Sequence, residues 1–228
     1  MKKIITFLTT FILFLYFTVT SLASIGIVGP DGENVGYKPT DTALRLTIVS
    51  CDSSIVNSGD VKYFMGHSFI EIDNITSVSY SIGPYKLSRH EKITIGLFGS
   101  VSGSLGAKHG DGIYINYEGN QAGNVTSDNS ICLSTDVKFN QLHLFDNIIQ
   151  NENYYNLFSH NCCHFALKVW NTFSNIKLSP DNNDSLITPL QVYNTINKRA
   201  GKKLGYKFKY NYNYYKINTN NTISSYSE

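Results

Sequence analysis

Short apolar runs separated by polar residues occupy the first part of the chain, a pattern typical of β-strands. These runs are Ala43–Ser50, Tyr63–Ile72, Ser77–Ile82, Lys92–Phe98, Ile113–Tyr117 and Ile131–Leu133. Asp73 and Asn74 separate the second run from the third, and we interpret them as a tight turn that pairs the two strands as a hairpin. The pattern therefore predicts an antiparallel sheet.

The apolar spacing changes to that of α-helices later in the chain. A first helix is predicted to start at Ser134–Asp136, with an apolar stripe of Phe139, Leu142, Phe145 and Ile149. Asn161, a favoured N-cap residue, precedes a second helix with apolar positions at Cys162, Phe165, Ala166, Val169 and Phe173. Thr188 is an N-cap followed by proline, so Pro189–Lys198 is predicted as a third helix.

The amino terminus has the pattern of a secretion signal. Lys2 and Lys3 form a charged head, Ile4–Val19 is an apolar run, and Ser21–Ala23 supplies the small residues that a signal peptidase reads. We interpret residues 1–23 as a cleaved signal peptide rather than a membrane anchor, although the run approaches spanning length. This predicts a secreted or extracytoplasmic protein with no stable membrane anchor after cleavage.

The remaining chain divides into three parts. Residues 24–40 form an extended lead-in rich in Gly, Pro and Asp, residues 41–200 a single domain, and residues 201–228 a polar tail rich in Tyr, Asn and Lys. Aromatic and polar residues alternate over Tyr206–Tyr214, which permits an edge strand, whereas the last dozen residues are predicted to be disordered. The glycine-rich stretch 99–112 lacks the ending of a phosphate-binding loop and is interpreted as an ordinary loop.

Composition agrees with one domain and narrows the choice of partners. The chain has 228 residues, of which 42% are hydrophobic and 13% aromatic, enough for a sizeable core. Its formal net charge is only +2, which argues against nucleic acid or an anionic membrane as a partner.

Four cysteines in an oxidising compartment predict a disulfide. Cys51 and Cys132 are the predicted pair, and Cys51 with Cys163 is the rival pairing. Cys162 and Cys163 are adjacent and are not expected to pair with each other.

One cysteine has the surroundings of a reactive thiol. Cys162 falls in the first turn of the second helix, where unpaired N–H groups and the helix dipole favour a thiolate. His67 follows a glycine at a strand entry, between apolar neighbours. Taken singly, a histidine in this setting is more typical of a protein core than of a catalytic site, and a lone cysteine is similarly ambiguous. Together they supply the thiol and the imidazole that a cysteine hydrolase needs.

Several segments resemble the circularly permuted papain-like hydrolases, a group that includes NlpC-like cell-wall peptidases and lecithin:retinol acyltransferase-like proteins. The segments that carry the resemblance are Gly66–Ile72, Tyr80–Pro84, Tyr155–Leu157, Asn161–Ala166 and Thr188–Leu190. As in the permuted members of the group, the histidine precedes the cysteine. The resemblance covers Leu44–Asn197 and implies an α+β fold, with an antiparallel sheet and the nucleophile-bearing helix packed against it.

The resemblance also implies roles for individual residues. Cys162 would be the nucleophile, with its backbone N–H as one oxyanion donor, and His67 the general base. Cys163 is the alternative nucleophile, although the family pattern places the reactive sulfur directly after Asn161.

The residue that orients the imidazole is where the chain departs from the family pattern. Tyr80 faces His67 in the predicted hairpin and is the candidate, with Ser79 or Ser81 taking that place if the register slips. Asn161 and His109 are candidates for lining a substrate cleft.

His160 and His164 flank the two cysteines but lack the spacing of a structural zinc site, so neither a metal nor another cofactor is predicted.

The expected activity is that of a secreted cysteine hydrolase, acting on a peptide, amide or acyl substrate through a thioester. Cell-wall peptides are the leading substrates, and an effector that acts on a target cell would carry the same motifs. Two alternatives stay open: a non-catalytic secreted binding domain that retains the fold, and a lipid acyltransferase or phospholipase with an apolar groove.

Overall fold

A computed structural model describes residues 36–51, 54–58, 61–100, 107, 109–118, 130–180, 186–205 and 213–227. The predicted signal peptide at residues 1–23 lies outside the described residues. So do most of the lead-in and most of the Tyr206–Tyr214 segment.

One large antiparallel sheet forms the frame of the described chain. Its strands are β1 (Thr42–Cys51), β4 (Ser68–Asn74), β7 (Lys92–Phe98), β8 (Gly112–Ile115), β9 (Ser130–Lys138), β10 (Lys202–Lys203), β11 (Asn213–Ile217) and β12 (Ile223–Ser227). Their order across the sheet is β10-β9-β1-β4-β7-β8-β11-β12. Two small hairpins complete the strands: β2 (Ser54–Ser58) with β3 (Val61–Met65), and β5 (Tyr80–Ile82) with β6 (Tyr85–Leu87).

Three α-helices accompany this sheet: α1 (Leu144–Glu152), α2 (Cys162–Phe173) and α3 (Pro189–Lys198). Helix α2 packs on β4 and β7, α3 on β1 and β9, and α1 against α2. The fold is therefore a mixed α+β arrangement with a mostly antiparallel sheet, which confirms the predicted class at that level. Within the described ranges, no helix is long and apolar enough to cross a membrane.

The core lies between the sheet and the helices. Alternate strand residues meet the apolar stripe of α2, as their period of two requires. The largest fully buried members include Leu44, Leu46, Ile48, Ile70, Ile72, Phe145, Phe165 and Trp170. Since α2 contributes its whole inner face to this core, its first turn is held at a defined place above β4.

Helix α3 begins and ends where the sequence predicts. The Thr188 hydroxyl caps it by accepting the N–H of Gln191, and the Gln191 side-chain oxygen in turn accepts the N–H of Thr188. Pro189 at the first helical position packs against the backbone just before β4. A Cβ on Gly66 would lie 2.6 Å from Pro189 Cβ and 2.5 Å from the Cys51 carbonyl oxygen, so only glycine fits there.

The predicted hairpin around Asp73 and Asn74 is wrong. Strand β4 runs through Asn74 and pairs with β1 and β7. The predicted return strand does not pair with β4, because β5 within it pairs with β6 instead. The buried Asn74 amide instead donates to the carbonyls of Val78 and Ser88, which lie on either side of the β5–β6 hairpin, and so holds the connection after β4 in place. A side chain typical of turns here organises a longer connection, because the partners of β4 come from elsewhere in the chain.

The predicted helix start at Ser134–Asp136 is also wrong, because β9 continues through Lys138. Ser134 lies opposite Thr47 with their hydroxyls 2.9 Å apart, and Asp136 pairs with Arg45. Pairing with β1 therefore overrides the local capping signal, and α1 begins only at Leu144.

The tail departs from its prediction as well. The last dozen residues were expected to be disordered, yet β12 forms the sheet edge by backbone pairing with β11. Its side chains are largely exposed, which explains why no apolar pattern indicates this strand.

The predicted disulfide is absent, since all four cysteines are described and all are thiols. Cys51 lies opposite Ser130, with Sγ and Oγ 3.1 Å apart, whereas Cys132 lies opposite Val49. The two predicted partners are therefore diagonal neighbours on adjacent strands, and the rival pairing of Cys51 with Cys163 does not form either.

Candidate active site

The first turn of α2 is built by Asn161. Its Oδ1 accepts the N–H groups of Cys163 and His164, and its Nδ2 donates to the carbonyls of Leu157 and Ile187. One amide thus caps the helix and joins the two loops that flank it, which confirms the predicted cap.

Cys162 is the first residue of this helix, and its backbone N–H is available to bind an anion. The N–H groups of the next two residues bind Asn161, and no acceptor among the described residues takes the N–H of Cys162. A negatively charged oxygen near this N–H would also meet the positive end of the helix dipole. The position therefore suits the oxyanion that forms on a carbonyl group when a thiolate at Cys162 attacks its carbon.

His67 stands at the entry of β4, the strand on which α2 packs. Its ring stacks on Phe69 with centroids 5.6 Å apart and packs at a tilt against Phe98 with centroids 4.5 Å apart, so aromatic rings fix its orientation. Its side chain is coupled electrostatically to that of Cys162, each favouring the charged form of the other. Its Nε2 is buried and has no hydrogen-bond partner within the described residues.

The electrostatics of this pair favour a thiolate and an imidazolium. Contact with the Cys163 thiol holds the pKa of Cys162 well below its ordinary value; His67 and the N–H of Ser68 act in the same direction, while burial opposes them. Burial acts to lower the pKa of His67, but Cys162 and Glu118 outweigh it and raise that pKa. The sulfur is therefore poised as a nucleophile and the ring as an acid.

A carboxylate that sequence analysis missed lies behind the imidazole. Glu118 follows β8, is 1% exposed, and accepts a hydrogen bond from the Thr94 hydroxyl through Oε2. Its other oxygen, Oε1, is buried without a partner in the described chain, as is Nε2 of His67. Burial raises the pKa of Glu118 to about 7, and His67 and Thr94 partly offset this. A possible donor, His67 Nε2, and an acceptor, Glu118 Oε1, are thus both buried without a hydrogen-bond partner in the described chain.

Gly96 in β7 makes room for this pair. A Cβ at this position would lie 2.6 Å from Glu118 Oε1 and 3.1 Å from His67 Nε2. The two atoms therefore occupy the space that a side chain at position 96 would fill. A lone glycine inside a strand often marks such a close approach, so Gly96 is the sequence signal that could have indicated this pair.

Tyr80 does not orient His67, contrary to prediction. Its hydroxyl donates to the Ala43 carbonyl at 2.8 Å, and its ring packs edge-on against Phe139. The error follows from the hairpin: with β5 paired to β6, position 80 faces Leu87. The serines considered for a slipped register belong to the same misassigned segment.

The two predicted cleft residues have other roles. The Asn161 amide is fully used by the cap and by the two loops. His109 stacks on Tyr226 with ring centroids 3.7 Å apart and hydrogen-bonds to Tyr214 at 2.9 Å, within an aromatic cluster near the sheet edge. The structure therefore places neither side chain as a cleft wall beside Cys162.

The flanking histidines also have assigned partners. His160 stacks on Tyr154 and lies 3.5 Å from a Glu152 carboxylate oxygen, and His164 completes the capping arrangement at Asn161. Within the described ranges, no group of three or more His, Cys, Asp or Glu side chains is placed to hold a metal ion.

Comparisons with protein-family models, with curated proteins and with solved structures found no match to this chain. Its chemistry must therefore be inferred from its own residues.

Proposed function

We propose that this protein is a secreted thiol hydrolase of the permuted papain-like type, which cleaves an amide, peptide or ester bond through a thioester on Cys162. The observation that carries the proposal is that Cys162 begins α2, that α2 packs on the strand which His67 precedes, and that His67 helps to lower the pKa of the Cys162 thiol. Glu118, buried beside the other face of the imidazole, supplies the third member that such a site needs.

In the first half of the reaction, the Cys162 thiolate attacks the carbonyl carbon of the substrate and forms a C–S bond. The carbonyl oxygen becomes an oxyanion, which the N–H of Cys162 stabilises. The oxyanion then collapses, the bond to the leaving group breaks, and the imidazolium of His67 gives its proton to the departing nitrogen or oxygen.

In the second half, His67 is neutral and accepts a proton from water, which attacks the thioester carbonyl. The C–S bond breaks, the acid product leaves and the thiolate is restored. An ionised Glu118, with Oε1 close to the same side of Gly96 as His67 Nε2, stabilises the charged form of the imidazole. Peptide and amide bonds of a cell wall are the first substrates to test, on the strength of the family resemblance and the secretion signal.

The proposal is tested by alkylating the purified protein with iodoacetamide across pH and measuring each cysteine by mass spectrometry. Cys132 serves as the internal reference, because it is partly exposed and burial raises the pKa of its thiol. We expect Cys162 to react at a pH well below the ordinary thiol pKa of about 8.5. His67→Ala should remove this low-pH reaction, and Cys162→Ser should give no alkylated product at position 162.

Equal rates at Cys162 and Cys132 over the whole pH range would contradict the proposal and favour the non-catalytic binding domain. A low-pH reaction that survives His67→Ala would show that the imidazole does not activate the sulfur.

A second candidate is transfer or hydrolysis of a fatty-acyl group. The observation that favours it is exposed apolar surface beside the nucleophile: Leu157, Phe158 and Leu190 are 54%, 64% and 49% exposed. Asn161 joins the loop that carries the first two to the loop that leads into α3. Such side chains suit an acyl chain or a lipid surface better than a polar peptide.

Esterase rates on short-chain and long-chain acyl esters separate the two candidates. An acyl-chain site predicts faster turnover of long chains and a selective loss of that preference in Phe158→Ser. Ile176→Ser is the matched control, since Ile176 is 48% exposed at the far end of α2. Indifference to chain length would leave the amide or peptide hydrolase as the candidate.

A further inference from the structure

A chain of buried hydroxyl and thiol groups runs beneath α2 to the nucleophile. Ser50 Oγ lies 2.8 Å from the Pro189 carbonyl oxygen and 2.8 Å from Ser68 Oγ. Cys163 Sγ lies 3.5 Å from Ser68 Oγ and 3.9 Å from Cys162 Sγ. Ser50, Ser68 and Cys163 are each 0% exposed, so these contacts do not compete with bulk water.

Counting protons determines which group donates and which accepts at each step of this hydrogen-bonded series. The Pro189 carbonyl can only accept, so the Ser50 hydroxyl gives its one proton to it. Ser50 then has only lone pairs left for Ser68, which must donate to Ser50. With its proton committed, Ser68 accepts from the Cys163 thiol. The orientation of the Cys163 S–H is thus set by a carbonyl at the start of α3.

Cys163 is left with one proton and two acceptors. While Cys162 is a neutral thiol, Ser68 Oγ is the better acceptor. Once Cys162 ionises, its charged sulfur is the stronger acceptor, and the Cys163 S–H turns toward it. Ser68 loses little by this, because its own bond to Ser50 stays in place.

We propose that Cys163 is a positioning residue whose S–H donates to the Cys162 thiolate, and that Ser68, whose own proton is committed to Ser50, competes with the thiolate for this S–H. The inference rests on the proposed function, since it needs Cys162 to be the nucleophile. It assigns different tasks to the two adjacent thiols: Cys162 reacts, and Cys163 keeps its proton and stabilises the reacting form. Burial and the neighbouring Cys162 raise the pKa of Cys163 well above its ordinary value, in keeping with a donor.

Two substitutions should shift the reactivity of Cys162 in opposite directions. Cys163→Ala removes the donor, so the pH at which Cys162 becomes reactive should rise by about one unit, the effect of one hydrogen bond to a charged atom. Cys163→Ser keeps a donor and should restore most of the wild-type profile. Ser68→Ala removes the competing acceptor but keeps the backbone N–H, so the profile should move downward.

Cys51→Ala is the matched control. Cys51 is also 0% exposed and also contacts a serine hydroxyl, that of Ser130 at 3.1 Å, but its sulfur is not part of the chain to Cys162. This variant should lose comparable packing and leave the Cys162 profile unchanged.

The outcomes separate this inference from the proposed function. A low-pH reaction of Cys162 that is the same in wild type, Cys163→Ala and Ser68→Ala would overturn the positioning role and leave the nucleophile intact. Upward shifts in both variants would overturn it too, since they would indicate a purely structural effect. Absence of the low-pH reaction in wild type would overturn both proposals together.

Discussion

The imidazole of His67 and the carboxylate of Glu118 lie over the bare backbone of Gly96, with Nε2 and Oε1 as their facing polar atoms. Neither atom has a hydrogen-bond partner among the described residues. The ring nitrogen can donate and the carboxylate can accept, so the pair is chemically matched. This relationship supplies the orienting group that sequence analysis left to Tyr80.

Gly96→Ala should disrupt that pair. The added Cβ would meet Glu118 Oε1 at 2.6 Å, and overpacking of this kind costs about 1–3 kcal/mol. We expect lower stability in urea unfolding together with slower alkylation of Cys162. Gly201→Ala is the control, because its Cβ would crowd Ile196 at 2.4 Å without touching the site. Similar alkylation rates in the two variants would contradict the role assigned to Gly96.

Glu118 should make the stability of the protein fall as pH rises. Burial raises its pKa to about 7 in the folded state, from an ordinary value near 4.5. Between these values the folded state holds a proton that the unfolded state has lost, so the free energy of unfolding decreases with pH by up to about 3 kcal/mol. The raised pKa of His67 acts with the same sign.

The measurement is urea unfolding of wild type and Glu118→Gln at pH 5 and pH 8. The neutral amide cannot titrate, so wild type should lose stability relative to the variant between the two pH values. A constant difference between the two proteins would show that Glu118 does not titrate in this range.

Removing the charge of Glu118 should also slow the alkylation of Cys162. Glu118→Gln keeps an acceptor for His67 Nε2 but no longer stabilises the imidazolium, and we expect a loss on the order of tenfold in Cys162 alkylation near pH 7. Glu118→Ala should lose more. Glu91→Gln is the control, since Glu91 binds Tyr85 and the N–H of Ser88. An unchanged rate in both Glu118 variants would remove this residue from the proposed mechanism.

Asn161→Ala should loosen the start of α2. The variant loses the cap on two N–H groups, worth about 0.5–2 kcal/mol, and both bonds to the flanking loops. We expect reduced stability and slower alkylation of Cys162. Asn161→Asp keeps the cap and should retain more of both. Thr188→Ala removes the cap of α3 and should reduce stability without an equal loss of alkylation.

Elements with strong local signals were predicted best. Thr188 and Pro189 define the start of α3 by their own backbone and side-chain preferences, and Asn161 does the same for α2. The predictions failed where a strand had to choose a partner. Asn74 was interpreted as a turn and Ser134 as a helix start, yet both lie in strands whose partners come from distant parts of the chain.

The sequence by itself determined the start of α2 at Asn161, the position of Cys162 in its first turn and the position of His67 directly after Gly66, since each depends on neighbours within a few positions. Only the tertiary structure decided that Glu118 rather than Tyr80 stands behind His67. It alone revealed that Ser50, Ser68 and Cys163 form one hydrogen-bonded chain. Both arrangements join residues far apart in the chain, and burial gives them their effect by excluding water from the polar atoms that meet.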